Sequence, residues 1–173
     1  MLKRFIPDMY QKNIFTINYN ILKKKNIKCL LFDLDNTISP AKEEVYCKKT
    51  KKLFEKLEKD FKVILFSNNF PKRIKPFKDY YNVDVSCLSL KPLSFKYRSI
   101  LKKYGYKNNE IAAIGDQLLT DINGGNKMKI TTILVEPISN IDETETFINR
   151  KIEKIIFKKF EEKNILVKGR YYD

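Results

Sequence analysis

"CLLFDLDNTISP", residues 29–40, decides the fold. Cys29–Phe32 is an apolar run that ends in two carboxylates two positions apart, Asp33 and Asp35. A run this short, closed by polar residues, reads as a strand buried on both faces. Carboxylates at the end of a buried strand are costly unless they are paired or bound to a metal.

Similar short runs recur at Ile27–Phe32, Val63–Phe66, Val83–Leu88, Ile111–Ile114 and Thr131–Val135. Between some of them the apolar spacing turns helical. Leu53, Phe54 and Leu57 share a face of a segment from about Tyr46 to Asp60, and Tyr97, Ile100, Leu101 and Tyr104 follow the i, i+3, i+4, i+7 pattern. Ser94 is a candidate N-cap for that second helix and Gly105 its stop. Strands alternating with helices predict an α/β fold around a central parallel sheet. Ligands of such sheets bind beyond the carboxyl ends of the strands, so the polar residues that follow each run are the ones to inspect.

Four places stand out. The first run ends in Asp33, Asp35 and Thr37; the second in Ser67, Asn68 and Asn69; Lys91 follows the third; the fourth leads into "GDQLLTD", with Asp116 and Asp121. Clustered carboxylates repel one another unless a cation joins them, and hard oxygen ligands suit Mg²⁺. One carboxylate could then attack a phosphoryl group while Lys91 and Ser67 help neutralise its charge. A neighbouring carboxylate could protonate the leaving oxygen and then activate water. A D-x-D after a strand is usually a solvated turn, and Asp121 could merely support the first turn of a helix. The ordered set, each member after its own run, is far more specific than any part.

That set resembles the haloacid dehalogenase (HAD) superfamily of magnesium-dependent phosphatases, with the D-x-D-x-T signature at Asp33, Asp35 and Thr37. "LKRFIPDMY", "IGDQLLTDINGGN", "TILVEPI" and "TFINRKIEKII" narrow the resemblance to the YqeG family of HAD subfamily IIIA. That family is related to the mitochondrial phosphatase that dephosphorylates phosphatidylglycerophosphate. The resemblance implies a Rossmann-like fold, Asp33 as the nucleophile that forms an aspartyl-phosphate, and Asp35 as the acid-base. It implies catalytic roles for Ser67 and Lys91, and Mg²⁺ held by Asp33, the backbone carbonyl of Asp35, and Asp116. Asp121, Asn68 and Thr37 would support them. At residues 38–40 the chain has "ISP", where that family often carries a more apolar stretch and a Trp.

Composition narrows the rest. The 173 residues suit one domain, with a catalytic core at about 27–136, a basic segment at 1–26 and an amphipathic helix at about 144–163. Histidine is missing altogether, which excludes a Ser-His-Asp triad and His-ligated zinc. Three cysteines without a C-x-x-C pair fit a reducing cytoplasm. No stretch approaches a signal peptide or a membrane span. The intervals from Asp33 to Ser67 and from Ser67 to Lys91 leave no room for a cap domain, so an open site is expected, suited to a phosphate on something large. The net charge is +14. It fits nucleic acid, an anionic membrane or a phosphorylated substrate, and it fits equally the Lys, Asn and Ile bias of AT-rich genomes. Residues 1–28 carry seven basic residues against Asp8. In the tail, Ile152, Ile155, Ile156 and Phe160 form a stripe beside Lys151, Lys154 and Lys158. Such segments either pack on the sheet or lie on an anionic bilayer. The expectation is a phosphatase acting on a lipid headgroup at the cytoplasmic membrane face. The alternatives are a soluble sugar or nucleotide phosphate as substrate, or an RNA- or ribosome-associated binding module.

Overall fold

The sheet is built from strands whose successive side chains feed different cores. The structure, a computed structural model, describes residues 2–139 and 144–173, with residues 144–147 described by their backbone alone. In β2 (Cys29–Phe32), Leu30 and Phe32 enter one hydrophobic cluster while Cys29 and Leu31 enter another. All four are buried, as two covered faces require. β3 (Lys62–Phe66) and β5 (Ile111–Gly115) divide their side chains in the same way.

Six strands form one all-parallel sheet in the order β1-β6-β5-β2-β3-β4, where β1 is Met9–Gln11, β4 Asp84–Ser86 and β6 Thr131–Val135. One face is covered by α1 (Tyr19–Lys24), α2 (Lys48–Leu57) and α3 (Pro71–Tyr81), through Leu22, Phe54, Leu57, Ile74, Phe77 and Tyr81. The other is covered by α4 (Phe95–Tyr104) through Tyr97 and Ile100. A short α5 (Asn123–Lys127) precedes β6, and α6 (Thr144–Glu162) anchors Ile156 and Phe160 in a third cluster with Tyr10 and Leu134. The chain runs outward from β2 to β4 and returns as β5 on the other side of β2. That reversal makes the carboxyl ends of β2 and β5 the point where a ligand crevice opens. α3 follows β3 after four residues, and no domain is inserted among the described residues between β2 and α4.

Several expected elements change shape. The helix expected over Tyr46–Asp60 is confined to Lys48–Leu57. Gly105 ends α4 in the left-handed region at φ 71°, but Ser94 makes no side-chain capping bond because its own backbone is already helical. The Val83–Leu88 run yields a strand only over Asp84–Ser86. Beyond it Leu88 and Leu90 take φ of 47° and 53°, turning the chain back so that Lys91 reaches the end of β2. Within the basic segment 1–26, residues 9–11 form the outer strand beside β6.

Candidate active site

Asp33 extends β2 by one residue, its amide donating to Ile114 O of β5 at 2.8 Å. A tight turn follows. Thr37 N and Ile38 N both donate to Leu34 O, and Asn36 takes a left-handed φ of 61°, a conformation asparagine tolerates. The turn folds Thr37 back so that its hydroxyl lies 3.3 Å from Asp116 Oδ1, across the gap to β5.

Lys91 is the centre of the arrangement. Its Nζ donates to Asp33 Oδ1 at 2.5 Å, Asp121 Oδ1 at 2.7 Å and the carbonyl of Phe66 at 2.9 Å. All three ammonium protons therefore have acceptors, the condition for burying this charge. Asn68 fixes the lysine backbone from both sides: its Oδ1 accepts from Lys91 N at 2.7 Å and its Nδ2 donates to Lys91 O at 3.2 Å. Burial works to lower the Lys91 pKa, but Asp121 and Asp33 outweigh it and hold the ammonium above the ordinary lysine value.

Asp121 sits on a π-helical turn, Leu118–Ile122, and its Oδ2 accepts from Gln117 N at 3.2 Å. A side chain on Gly115 would place its Cβ 2.2 Å from Asp121 Cγ, so only glycine fits there. Carboxylate oxygens of Asp33, Asp116 and Asp121 lie within 4.8 Å of one another. Burial pushes the Asp33 carboxyl well above the usual carboxylate range. Lys91 pulls it back, and Asp121 and Asp116 push it further up. Burial also raises Asp116, to about 6, against the pull of Arg150. Three buried carboxylates this close, all hard oxygen donors, form a donor set that suits Mg²⁺.

The structure also brings in residues that the sequence pattern did not single out. Arg73 on α3 pairs with Asp35 Oδ1 at 2.7 Å, and Asn69 Nδ2 donates to Asp35 Oδ2. Arg73 stacks over Phe77, 4.9 Å from the ring centre. Arg150, on α6, donates to Asp116 Oδ2 and to the Asp116 carbonyl, and pairs with Glu153 at 3.0 Å. Ser67 is buried, and its Oγ accepts from both Asn69 N and Asn69 Nδ2 at 3.2 Å. Asn69 thus links Ser67 to Asp35.

Four strand ends converge on this set of carboxylates and cations, and the chain that carries it is similar to known proteins over most of its length. The family model described as mitochondrial PGP phosphatase matches residues 2–139. The "Probable phosphatase YqeG" of Bacillus subtilis (strain 168) is 35% identical over 158 residues, spanning 90% of this chain and 92% of that protein. The chloroplastic/mitochondrial phosphatidylglycerophosphate phosphatase 1 of Arabidopsis thaliana is 24% identical over 160 residues, 87% of this chain; the chain spans 45% of that protein's length. Among solved structures, an uncharacterized protein of Listeria monocytogenes serotype 4b superposes with a TM-score of 0.54 at 16% identity, over 67% of this chain and 85% of that one. The cobalt-bound deoxy-D-mannose-octulosonate 8-phosphate phosphatase of Haemophilus influenzae gives 0.50 at 15% identity, over 79% and 90%. At such identities these structures speak for the fold alone. The match along most of the chain places it in a family: it belongs to the mitochondrial PGP phosphatase family, with YqeG, and is a phosphatase with the fold of HAD-like hydrolases.

Proposed function

We propose that this phosphatase hydrolyses the terminal phosphomonoester of phosphatidylglycerophosphate through an aspartyl-phosphate on Asp33, working as a peripheral protein at the cytoplasmic face of the membrane. The observation that carries the chemistry is the three-way bond of buried Lys91 to Asp33, Asp121 and Phe66 O. It fixes one Asp33 oxygen and aims the carboxylate at the open edge of the sheet. The other oxygen attacks phosphorus, and the bond to the leaving glycerol oxygen breaks. Asp35 gives that oxygen its proton. Asp35, now a carboxylate, takes a proton from water as the water attacks the phospho-enzyme, which frees inorganic phosphate and restores Asp33. Ser67 and Lys91 bind the phosphoryl oxygens, while Asn69 and Arg73 hold Asp35 in place. Asp33, the backbone carbonyl of Asp35, and Asp116 would hold Mg²⁺, with Thr37 and Arg150 steadying Asp116. When bound, the ion offsets phosphoryl negative charge. The lipid assignment rests on the Arabidopsis relative and on the capless, open site.

The test is phosphate release from phosphatidylglycerophosphate in mixed micelles, alongside soluble sugar and nucleotide phosphates. The lipid is expected to be turned over with the highest kcat/KM; a clear preference for a soluble ester would replace it. EDTA should abolish turnover and Mg²⁺ restore it. Ca²⁺ should inhibit, because its longer bonds and higher coordination number draw Asp33 in as a bidentate ligand, engaging the oxygen that would attack and removing it as a nucleophile. Asp116→Ala should behave like the stripped protein. Full activity after metal stripping would contradict the assignment.

A further inference from the structure

Several of the large apolar side chains left in water lie at the mouth of the site, and a second group, Ile148, Ile152 and Ile155, lies on α6. Phe70 and Phe95 are 70% and 69% exposed, Leu93 and Leu90 are 57% and 53% exposed, and Leu88 and Ile138 are exposed too. Each lies in a connection that leaves the carboxyl end of a strand: Phe70 after β3, Leu88 to Phe95 after β4, Ile138 after β6. The first two connections are tied together. Leu88 N donates to Asn69 O, Ser89 N to Ser67 O, and Asn68 clasps Lys91. Ser89 is buried between two exposed leucines, both at positive φ. A bulky side chain seldom takes that conformation, and here it keeps Leu88 and Leu90 outward while the backbone between them is fixed to the catalytic loop.

Charge on the same edge points to the partner. The first turns of α3 and α4, which leave this edge, carry Lys72, Arg73, Lys96 and Arg98 and no acidic residue. Lys72 and Arg98 are exposed. Apolar side chains among lysines, with no helix long and apolar enough to span a membrane among the described residues, fit an anionic bilayer surface. Lys23, Lys24 and Lys25, another basic cluster, lie elsewhere. They close α1 just before β2 begins, and Lys23 pairs with Asp60 just before β3 begins. Both places are at the amino ends of the strands, on the edge opposite the carboxylates.

We infer that the rim formed by the β3–α3 and β4–α4 connections docks on an anionic lipid bilayer, Phe70, Leu90, Leu93 and Phe95 entering the headgroup region and the lysines meeting lipid phosphates. The choice of a bilayer as occupant rests on the lipid-substrate reading. Docking at this rim turns the carboxylates of the site toward the membrane, so a headgroup phosphate reaches Asp33 without leaving the surface.

The test is co-sedimentation with vesicles of phosphatidylcholine alone and of phosphatidylcholine with phosphatidylglycerol, neither containing the substrate. Wild-type protein should bind the anionic vesicles only, less so at about 0.5 M salt, where charges are screened. Phe70→Ser/Leu90→Asn/Phe95→Ser should reduce partitioning about tenfold, and Lys23→Gln/Lys24→Gln/Lys25→Gln less than about twofold. Circular dichroism and a melting curve establish that each variant folds, and Leu93→Ser alone gives a milder second probe. The inference is overturned if wild-type protein ignores anionic vesicles, if the lysine triple loses binding while the apolar triple keeps it, or if the apolar triple merely dissociates a dimer, which would make the rim a contact between copies. Anionic vesicle binding that needs the rim, in a protein that leaves phosphatidylglycerophosphate intact, would uphold the docking face and remove the substrate assignment.

Discussion

Asp33→Asn should lower turnover by about a thousandfold or more on every phosphomonoester, lipid or soluble, because the amide cannot act as the nucleophile. The loss should fall on kcat, with little change in KM for a substrate held by Ser67 and Lys91. The protein should stay folded. Asparagine has the same shape, Lys91 keeps its bonds to Asp121 and Phe66 O, and the buried Asp33 carboxyl, whose pKa burial raises, no longer has to be desolvated as an anion. A melting temperature equal to or above that of wild type, together with lost activity, is the expected pair of results. Appreciable turnover in a clean preparation would remove Asp33 from the role.

Lys91→Met should cost both activity and stability. The ammonium is the cation that bonds Asp33 and Asp121 directly, and removing one partner of a buried ionic group costs about 3–5 kcal/mol. The penalty should depend on pH with a definite sign. Lys91 lowers the Asp33 pKa, so its loss raises a pKa that burial already holds above the unfolded value. A carboxyl whose folded pKa is raised is tolerated when protonated and penalised when charged. The variant should therefore come closest to wild-type stability near pH 4 and fall further behind as pH rises through the folded pKa. Denaturant melts of both proteins across that range measure the gap. A gap that is constant with pH would mean that the lysine serves only as packing.

The strands were legible because buried parallel strands read as unbroken apolar runs, and Cys29–Phe32, Val63–Phe66 and Ile111–Ile114 have no competing helical reading at that length. Their carboxyl ends then pointed to Asp33, Ser67 and Asp116. Lys91 was legible as a residue of the set, though its three acceptors were not. β1 was hidden: Met9–Gln11 is only three residues, sits at the sheet's edge and pairs with a strand more than a hundred positions later. Arg73 and Arg150 were hidden for another reason. A basic residue on an amphipathic helix ordinarily faces water, and their partners Asp35 and Asp116 lie 38 and 34 positions away. The tail stripe was half legible. Ile156 and Phe160 pack inward as a core-facing stripe should, whereas Ile152 and Ile155 remain exposed. The basic cluster at Lys23–Lys25 looked equivalent to any other until the topology put it on the edge away from the site.

The central claim is covalent chemistry at one oxygen pair, and trapping it is the most direct measurement. Wild-type protein is mixed with phosphatidylglycerophosphate micelles, quenched in acid within the first turnover, reduced with borohydride and mapped by peptide mass spectrometry. An acyl phosphate on Asp33 is reduced to the corresponding alcohol, so the account predicts homoserine at position 33, in an amount that follows the phosphatidylglycerol released in the burst. Phosphate release with position 33 unchanged, or the label on Asp35, Asp116 or Asp121, would contradict it.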